Sequence, residues 1–167
     1  AGRAAGFPDR EYTEEGAWIV NNRKELFASS DIILQVRAAG ANPKNGLQDI
    51  KLMKKGSLLI GFLNPYSSAD MLKELVRAGI TSFAMELIPR ITRAQRMDAL
   101  SSMASISGYK AALMAACALP RLYPMMMTAA GTITPAHVFV IGAGVAGLQA
   151  IATAHRVGAV VNAYDVR

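Results

Sequence analysis

A single cysteine, Cys117, stands among 167 residues, so no internal disulfide can form and a reducing compartment suits the chain better than secretion. No charged-then-apolar leader opens it. Ala1 has no Met before it, and neither end is read as a domain boundary. Charged side chains are scarce, at 18% against 52% hydrophobic, which excludes disorder as the main state. Lys/Arg runs longer than two are absent and aromatics do not interleave with the basic residues, so nucleic acid is excluded as a partner despite a net charge of +6. Carboxylates are missing altogether between Asp98 and Asp165, where Lys110, Arg121 and Arg156 are the only firm charges. That interval is expected to be mostly buried. Its most apolar part, residues 111–130, is interrupted by Pro120, Arg121 and Pro124 and falls short of the ~20-residue span a bilayer needs, so the chain is expected to be soluble.

What is present is an alternation of amphipathic and β-rich runs, the pattern of a parallel sheet covered by helices. Residues 22–29 read as a helix, 32–36 as a strand, and 47–54 as a short helix. Residues 57–63 are apolar on both faces, as a central parallel strand must be. Asn64-Pro65-Tyr66 is a turn signal, Met71, Leu72, Leu75 and Val76 recur at helical spacing up to Gly79, and residues 81–85 read as another strand. Thr92 to Leu119 contains one glycine and no proline, so one or two helices are expected there, broken near Ser107-Gly108. The fold class is α/β: a partial parallel-sheet N-terminal domain over residues 1–122, flavodoxin-like, an irregular connection over 123–136, and the start of a Rossmann dinucleotide-binding domain over 137–167.

The last assignment rests on Gly142-Ala143-Gly144-Val145-Ala146-Gly147. A lone G-x-G-x-x-G is a weak signal, but here an apolar β-branched run precedes it and a helix follows, with Leu148, Ile151, Ala152 and Val157 as its expected buried positions. A second strand, 159–164, then ends at Asp165, 18 residues past Gly147, the spacing of the dinucleotide fingerprint. In that fingerprint Gly142 permits the tight turn, Gly144 lets the backbone approach a pyrophosphate, and Gly147 lets helix and strand pack closely. Free amides at the helix start favour phosphate, and Asp165 would accept hydrogen bonds from the adenosine ribose, favouring NAD over NADP. Arg167 pulls the other way, since such an Arg can pair with a 2′-phosphate. The same glycines would also serve an ordinary βα turn.

With these motifs in hand, residues 131–167 resemble the NAD-binding alpha subunit of proton-translocating NAD(P) transhydrogenase. Upstream, Pro89-Arg90-Ile91-Thr92-Arg93-Ala94-Gln95 and Met97-Asp98-Ala99-Leu100-Ser101-Ser102 are similar to that family's nicotinamide-side motif, and Leu63-Asn64-Pro65 to an earlier loop. The resemblance implies NAD(H) contacts at Arg90, Arg93, Gln95, Asp98 and Ser101 on the nicotinamide side, and at Gly142, Ala143, Gly144, Val145, Gly147, Asp165, Val166 and Arg167 on the other. Spacing alone leaves Gln95 open, because Thr92 and Gln95 also form a capping-box pattern. Asp98 could equally be a solvated helix charge and Arg90 a surface cation. Arg96 stands where that family carries a small polar residue.

The resemblance further implies hydride transfer from NADH to NADP(H) on a partner component, membrane-spanning components that move the proton, a homodimer, and a place at the cytoplasmic face of the inner membrane. No metal and no catalytic acid, base or nucleophile is expected. Alanine dehydrogenase is the nearest rival, yet Gln35-Val36-Arg37 and Asn64 stand where it carries a Lys and a His. A non-catalytic NAD-binding module is the other alternative. His137 and His155 are read as packing or surface residues, Cys117 as a small buried hydrophobe, and Met125 to Met127 as core filler.

Overall fold

A computed structural model describes residues 2–166. Its contacts divide the chain into two compact units, Ala1–Ile88 and Pro89–Arg167.

The first unit contains α1 (Asp9–Glu14), α2 (Arg23–Ser29), β1 (Ile32–Arg37), α3 (Gly46–Leu52), β2 (Leu58–Phe62), α4 (Ala69–Arg77) and β3 (Thr81–Ala84). Asn22 starts α2 by accepting the Lys24 amide at 3.0 Å, a side-chain cap for one of the orphan donors of a helix start. The sheet is parallel in the order β1-β2-β3, with Ile33 opposite Leu59 and Leu59 opposite Ser82. The run that is apolar on both faces is therefore the central strand. Leu59, Leu63 and Leu75 are buried with Phe27, Ile33, Ile50 and Ile80 in one core. Along β1 the side chains alternate: Ile33 points into that core while Ile32, Leu34 and Val36 are exposed. One carboxylate lies inside. Asp49 receives two bonds from the Arg23 guanidinium, at 2.8 and 2.6 Å, and one from the Gln35 amide at 2.9 Å, which satisfies a charge that burial would otherwise penalise.

The second unit opens with a 3-10 turn over Thr92–Met97 and continues through α5 (Ala99–Ala118), β4 (Met126–Thr128), β5 (Gly131–Ile133), β6 (His137–Ile141), α6 (Val145–Arg156) and β7 (Val160–Tyr164). Strands β6 and β7 are parallel, His137 facing Val160 and Ile141 facing Tyr164. The expected β-α-β unit is present. Within residues 123–136, read as irregular, β4 and β5 pair as a short antiparallel hairpin.

Helix α5 is continuous through the expected break at Gly108. The break lies earlier, at Asp98, where the 3-10 turn gives way to α5. Gly108 is there for approach: a Cβ on it would lie 2.0 Å from the Ala146 carbonyl oxygen, so α5 and α6 touch backbone to backbone. That contact also decides which face of α6 is buried. Thr153 and Ala154 are enclosed, whereas Leu148, Ala152 and Val157 are exposed and Ile151 is half-buried, against the sequence expectation. Small side chains belong where two helices come closest, so the large ones turn outward.

The carboxylate-free interval is correspondingly less buried than expected. Met103, Ile106, Phe139 and Ile141 are exposed, Met125 to Met127 are surface residues of the hairpin region, and Cys117 is exposed. The physical reason is thickness: α5 carries more apolar residues than the stripe it can bury, and a two-stranded sheet with one covering helix has only one covered face. Tyr123 does reach the small core of this unit, its hydroxyl donating to the Ala112 carbonyl at 3.3 Å.

Gly108→Ala should lower the unfolding free energy by about 1–3 kcal/mol, because a backbone oxygen has to move to admit the methyl group. Urea denaturation measures it, and a loss under about 0.5 kcal/mol would rule out the close contact.

Candidate functional site

Strand β6 ends at Ile141, and the chain turns through Gly142, Ala143 and Gly144 before α6 begins. Gly142 has φ +95°, a conformation that side chains disfavour. A Cβ at Gly147 would lie 1.8 Å from the Gly142 carbonyl oxygen, so the first turn of α6 sits directly on the loop. At Gly144 the same position meets nothing within 4 Å. The backbone there faces open space, which is the room that a ligand phosphate needs. Two bonds tie the turn to the end of β7: the Gly142 amide donates to the Tyr164 carbonyl at 2.7 Å, and the Ala143 amide donates to Asp165 Oδ2 at 2.6 Å. The Leu148 amide is paired to the Gly144 carbonyl at 2.8 Å, as in a normal helix start. Amides ahead of it, from Val145 on, have no partner within the helix and can take an anion. Val166 is exposed just past β7. Arg167 lies outside the described residues.

A second feature of this unit is an open hollow of about 690 Å³, lined by Arg90, Ile91, Thr92, Gln95, Asp98, Ser101, Ser102, Ser105 and Val145. Four residues singled out by resemblance, Arg90, Gln95, Asp98 and Ser101, thus meet at one cavity, and Val145 from the start of α6 shares its wall. Arg93 and Arg96 are exposed on the 3-10 turn and do not line it. Ile91, Thr92, Ser102 and Ser105 also line it, and sequence reading missed them as site residues. A signal was available for two: Asp98, Ser102 and Ser105 follow one another at the three- and four-residue spacing of one helix face.

The capping pattern is resolved by the same geometry. The 3-10 turn starts at Thr92, after Ile91 at its cap position, with no side-chain cap, whereas Asp98 caps α5: Oδ1 accepts the Ser101 amide at 2.9 Å and Oδ2 accepts the Ser101 hydroxyl at 2.6 Å. These Ser101 bonds, hydroxyl first and amide second, hold the Asp98 carboxyl below the ordinary carboxylate range, with a smaller contribution from the Arg90 charge. Asp98 therefore stays ionised, and the Ser101 hydroxyl, whose proton is committed to it, presents lone pairs to the hollow. An arginine, an amide, a carboxylate and a hydroxyl form a set that can orient a polar ring substituent and sugar hydroxyls. No proton-transfer pair is needed for that. Among the described residues, no group of three His, Cys, Asp or Glu could hold a metal, and no helix is long and apolar enough to cross a membrane. The first unit has its own hollow of about 540 Å³ near Phe7 and Tyr12, but its charged lining is Glu11, Glu14 and Glu15, unsuited to an anionic ligand.

A parallel, helix-covered sheet followed by a glycine-turn β-α-β unit defines an α/β protein with a Rossmann-like second half. The chain belongs to the alanine dehydrogenase/PNT family, residues 1–107 matching its N-terminal domain and residues 111–167 its C-terminal domain. Over 167 residues it is 44% identical to NAD(P) transhydrogenase subunit alpha of Haemophilus influenzae, covering 100% of this chain and 31% of that protein. The crystal structure of transhydrogenase from Sinorhizobium meliloti superimposes with a TM-score of 0.91 at 48% identity, over all of this chain and 48% of that one. Alanine dehydrogenase of Mycolicibacterium smegmatis is more distant, at 30% identity over 99% of this chain and 43% of its own. The chain thus spans less than half the length of these relatives.

Ser101→Ala should move the Asp98 titration back up toward the ordinary carboxylate range, read by carboxyl-carbon NMR. The stabilisation tied to Asp98 ionisation is complete above its unfolded-state pKa of about 3.9 and is lost as pH falls through the depressed folded value. Wild type and variant should therefore differ in acid stability near and above that folded value and converge well below it. An Asp98 titration that ignores the substitution would exclude Ser101 as the cause.

Proposed function

We propose that this chain forms the NAD(H)-holding face of a proton-translocating NAD(P) transhydrogenase, which passes hydride from NADH to NADP held on a partner component. The observation that carries the reading is that Val145, first residue of the glycine-turn helix, lines the same hollow as Arg90, Gln95, Asp98 and Ser101. A dinucleotide has two ends and a diphosphate between them. Residues 142–147 suit the diphosphate, Asp165 the adenosine ribose, and the hollow beside α5 the nicotinamide and its ribose. The open space at Gly144 and the close seating of Gly147 fit that group. The names of the similar transhydrogenase chains support the same assignment.

When bound, NADH supplies the hydride, so the chemistry belongs to the nicotinamide. The chain's own contribution is positional. Arg90 and Gln95 offer donors to the carboxamide and the ribose, and Ser101 offers an acceptor oriented by Asp98. Together they would orient the ring for transfer at near-contact distance. Val166 and Arg167 would flank the adenosine end, and Arg93 the rim of the nicotinamide end. In domain terms, residues 1–122 would form the N-terminal portion, 123–136 the connection and 137–167 the start of the nucleotide-binding portion, a division distinct from the contact boundary at Ile88/Pro89. The partners would be the NADP-binding and membrane-spanning components and a second copy of the subunit, with the assembly at the cytoplasmic face of the inner membrane.

An alanine dehydrogenase reading is less well supported. Gln35, near where that enzyme carries a Lys, donates to the buried Asp49, and Asn64, in the place of its His, carries a side-chain amide with no titratable proton while its backbone N–H donates to Glu86 Oε1 at 2.7 Å. Neither supplies the charge or proton transfer that an amino-acid substrate requires.

The intact polypeptide mixed with its NADP-binding component should form NADPH as NADH is consumed. Asp165→Ala should weaken NADH binding by ~10-fold or more, as loss of charge-assisted hydrogen bonds predicts. NADH binding without turnover would instead support the non-catalytic module, and L-alanine oxidation with NAD would support the dehydrogenase.

A further inference from the structure

Asp165 is placed to act on the protein as well as on a sugar. Its Oδ2 takes the Ala143 amide at 2.6 Å, across the gap between the end of β7 and the glycine turn. On one side the turn is seated under α6, where a Cβ at Gly147 would lie 1.8 Å from the Gly142 carbonyl oxygen; the other sides are open. Ala143 sits between two glycines, the residue type with the widest backbone freedom, and a Cβ at either Gly142 or Gly144 would meet nothing within 4 Å. No packing therefore shapes those sides of the turn. Apart from the seat under Gly147, it is held by hydrogen bonds to the end of β7, where Ile141 pairs with Tyr164, the Gly142 amide binds the Tyr164 carbonyl, and the Ala143 amide binds the Asp165 carboxylate. The last of these is the one charge-assisted bond of the three.

We infer that Asp165 is a positioning residue for the phosphate-facing turn, holding it in its binding shape in addition to accepting the ribose. The inference rests on the nucleotide reading above and deepens it. A carboxylate has about four lone-pair sites, enough for the loop amide and sugar hydroxyls together. The Ala143 amide, aimed at Asp165, is then not a phosphate donor. Those donors are the amides at the start of α6, which the clamp keeps pointed at open space. A negative charge beside a phosphate site is otherwise unfavourable. Without the clamp, removing the carboxylate should strengthen the binding of any phosphate ligand that makes no use of the sugar contact; with it, such binding should weaken. The two roles thus predict opposite signs.

Calorimetry on the intact polypeptide with ADP and with 2′,3′-dideoxy-ADP separates them, since the second ligand keeps the diphosphate and lacks the ribose hydroxyls. Asp165→Ala should weaken both, ADP more, with dideoxy-ADP falling by roughly five-fold for the loss of one net hydrogen bond that orders the site. Asp165→Asn, whose side-chain carbonyl still accepts the amide, should recover most of the dideoxy-ADP affinity. In the wild type the Ala143 amide proton should resonate downfield by NMR and move upfield in the Ala variant. Dideoxy-ADP affinity that is unchanged or tighter in Asp165→Ala, with ADP still weakened, overturns the clamp and leaves the nucleotide reading standing. A wild-type protein that binds neither ligand overturns both.

Discussion

Helices α5 and α6 meet without side chains between them. Gly108 lies so close to the Ala146 carbonyl that no Cβ fits, and this contact sets the depth to which α6 sinks against α5. Much of the second unit follows from it. The small residues Ala112 and Ala154 fill its core because nothing larger can stand where two backbones touch, and Leu148 is turned outward. The start of α6, with Val145, is brought to the hollow that opens beside the first turns of α5. One helix contact therefore joins two stretches of sequence, residues 90–105 and residue 145, into one cavity.

The two carboxylates of this unit are both tied to its backbone. Residues 87–167 hold seven basic side chains and two acids, Asp98 and Asp165. Both acids are bound to backbone amides, Asp98 at the start of α5 and Asp165 at the turn before α6. Each thus holds a helix start or the loop that leads to one. What remains at the hollow is Arg90 and the amides at the start of α6, which favour an anionic ligand at contact, while the net positive charge of the unit favours its approach. Asp49 in the first unit plays another role. Buried and gripped by Arg23 and Gln35, it ties α2, α3 and β1 together.

Much of this was legible from the residues. Periodicity and turn signals found β1 to β3 and the helices among them, and the double-sided apolar run found the central strand. The glycine spacing found β6, α6 and β7. The misread elements have physical causes that a local pattern does not carry. Gly108 looked like a helix break, and Leu148, Ala152 and Val157 looked buried, because local pattern carries no information on how closely a neighbouring helix approaches. Met125 to Met127 and Cys117 looked like core for a similar reason: hydrophobicity says that a residue prefers burial, and only the number of layers around it says whether burial is available. The hairpin of β4 and β5 escaped notice because its strands are three residues each, too short to show alternation.

By itself the sequence determined the kinds of element, their order, the parallel sheet and the glycine turn, since these depend on backbone preference and on contacts between residues close along the chain. Spacing also marked Asp165 as a strand-end acid, whereas Arg90, Gln95, Asp98 and Ser101 were grouped only by resemblance to a family. Only the tertiary structure decided that Asp98 caps α5 through Ser101, that Asp165 reaches back 22 residues to the Ala143 amide, and that Val145 shares a wall with the α5 residues. Those facts depend on distances between segments far apart in the chain. Such distances are set by how deeply helices and strands can interpenetrate, which a linear pattern does not encode.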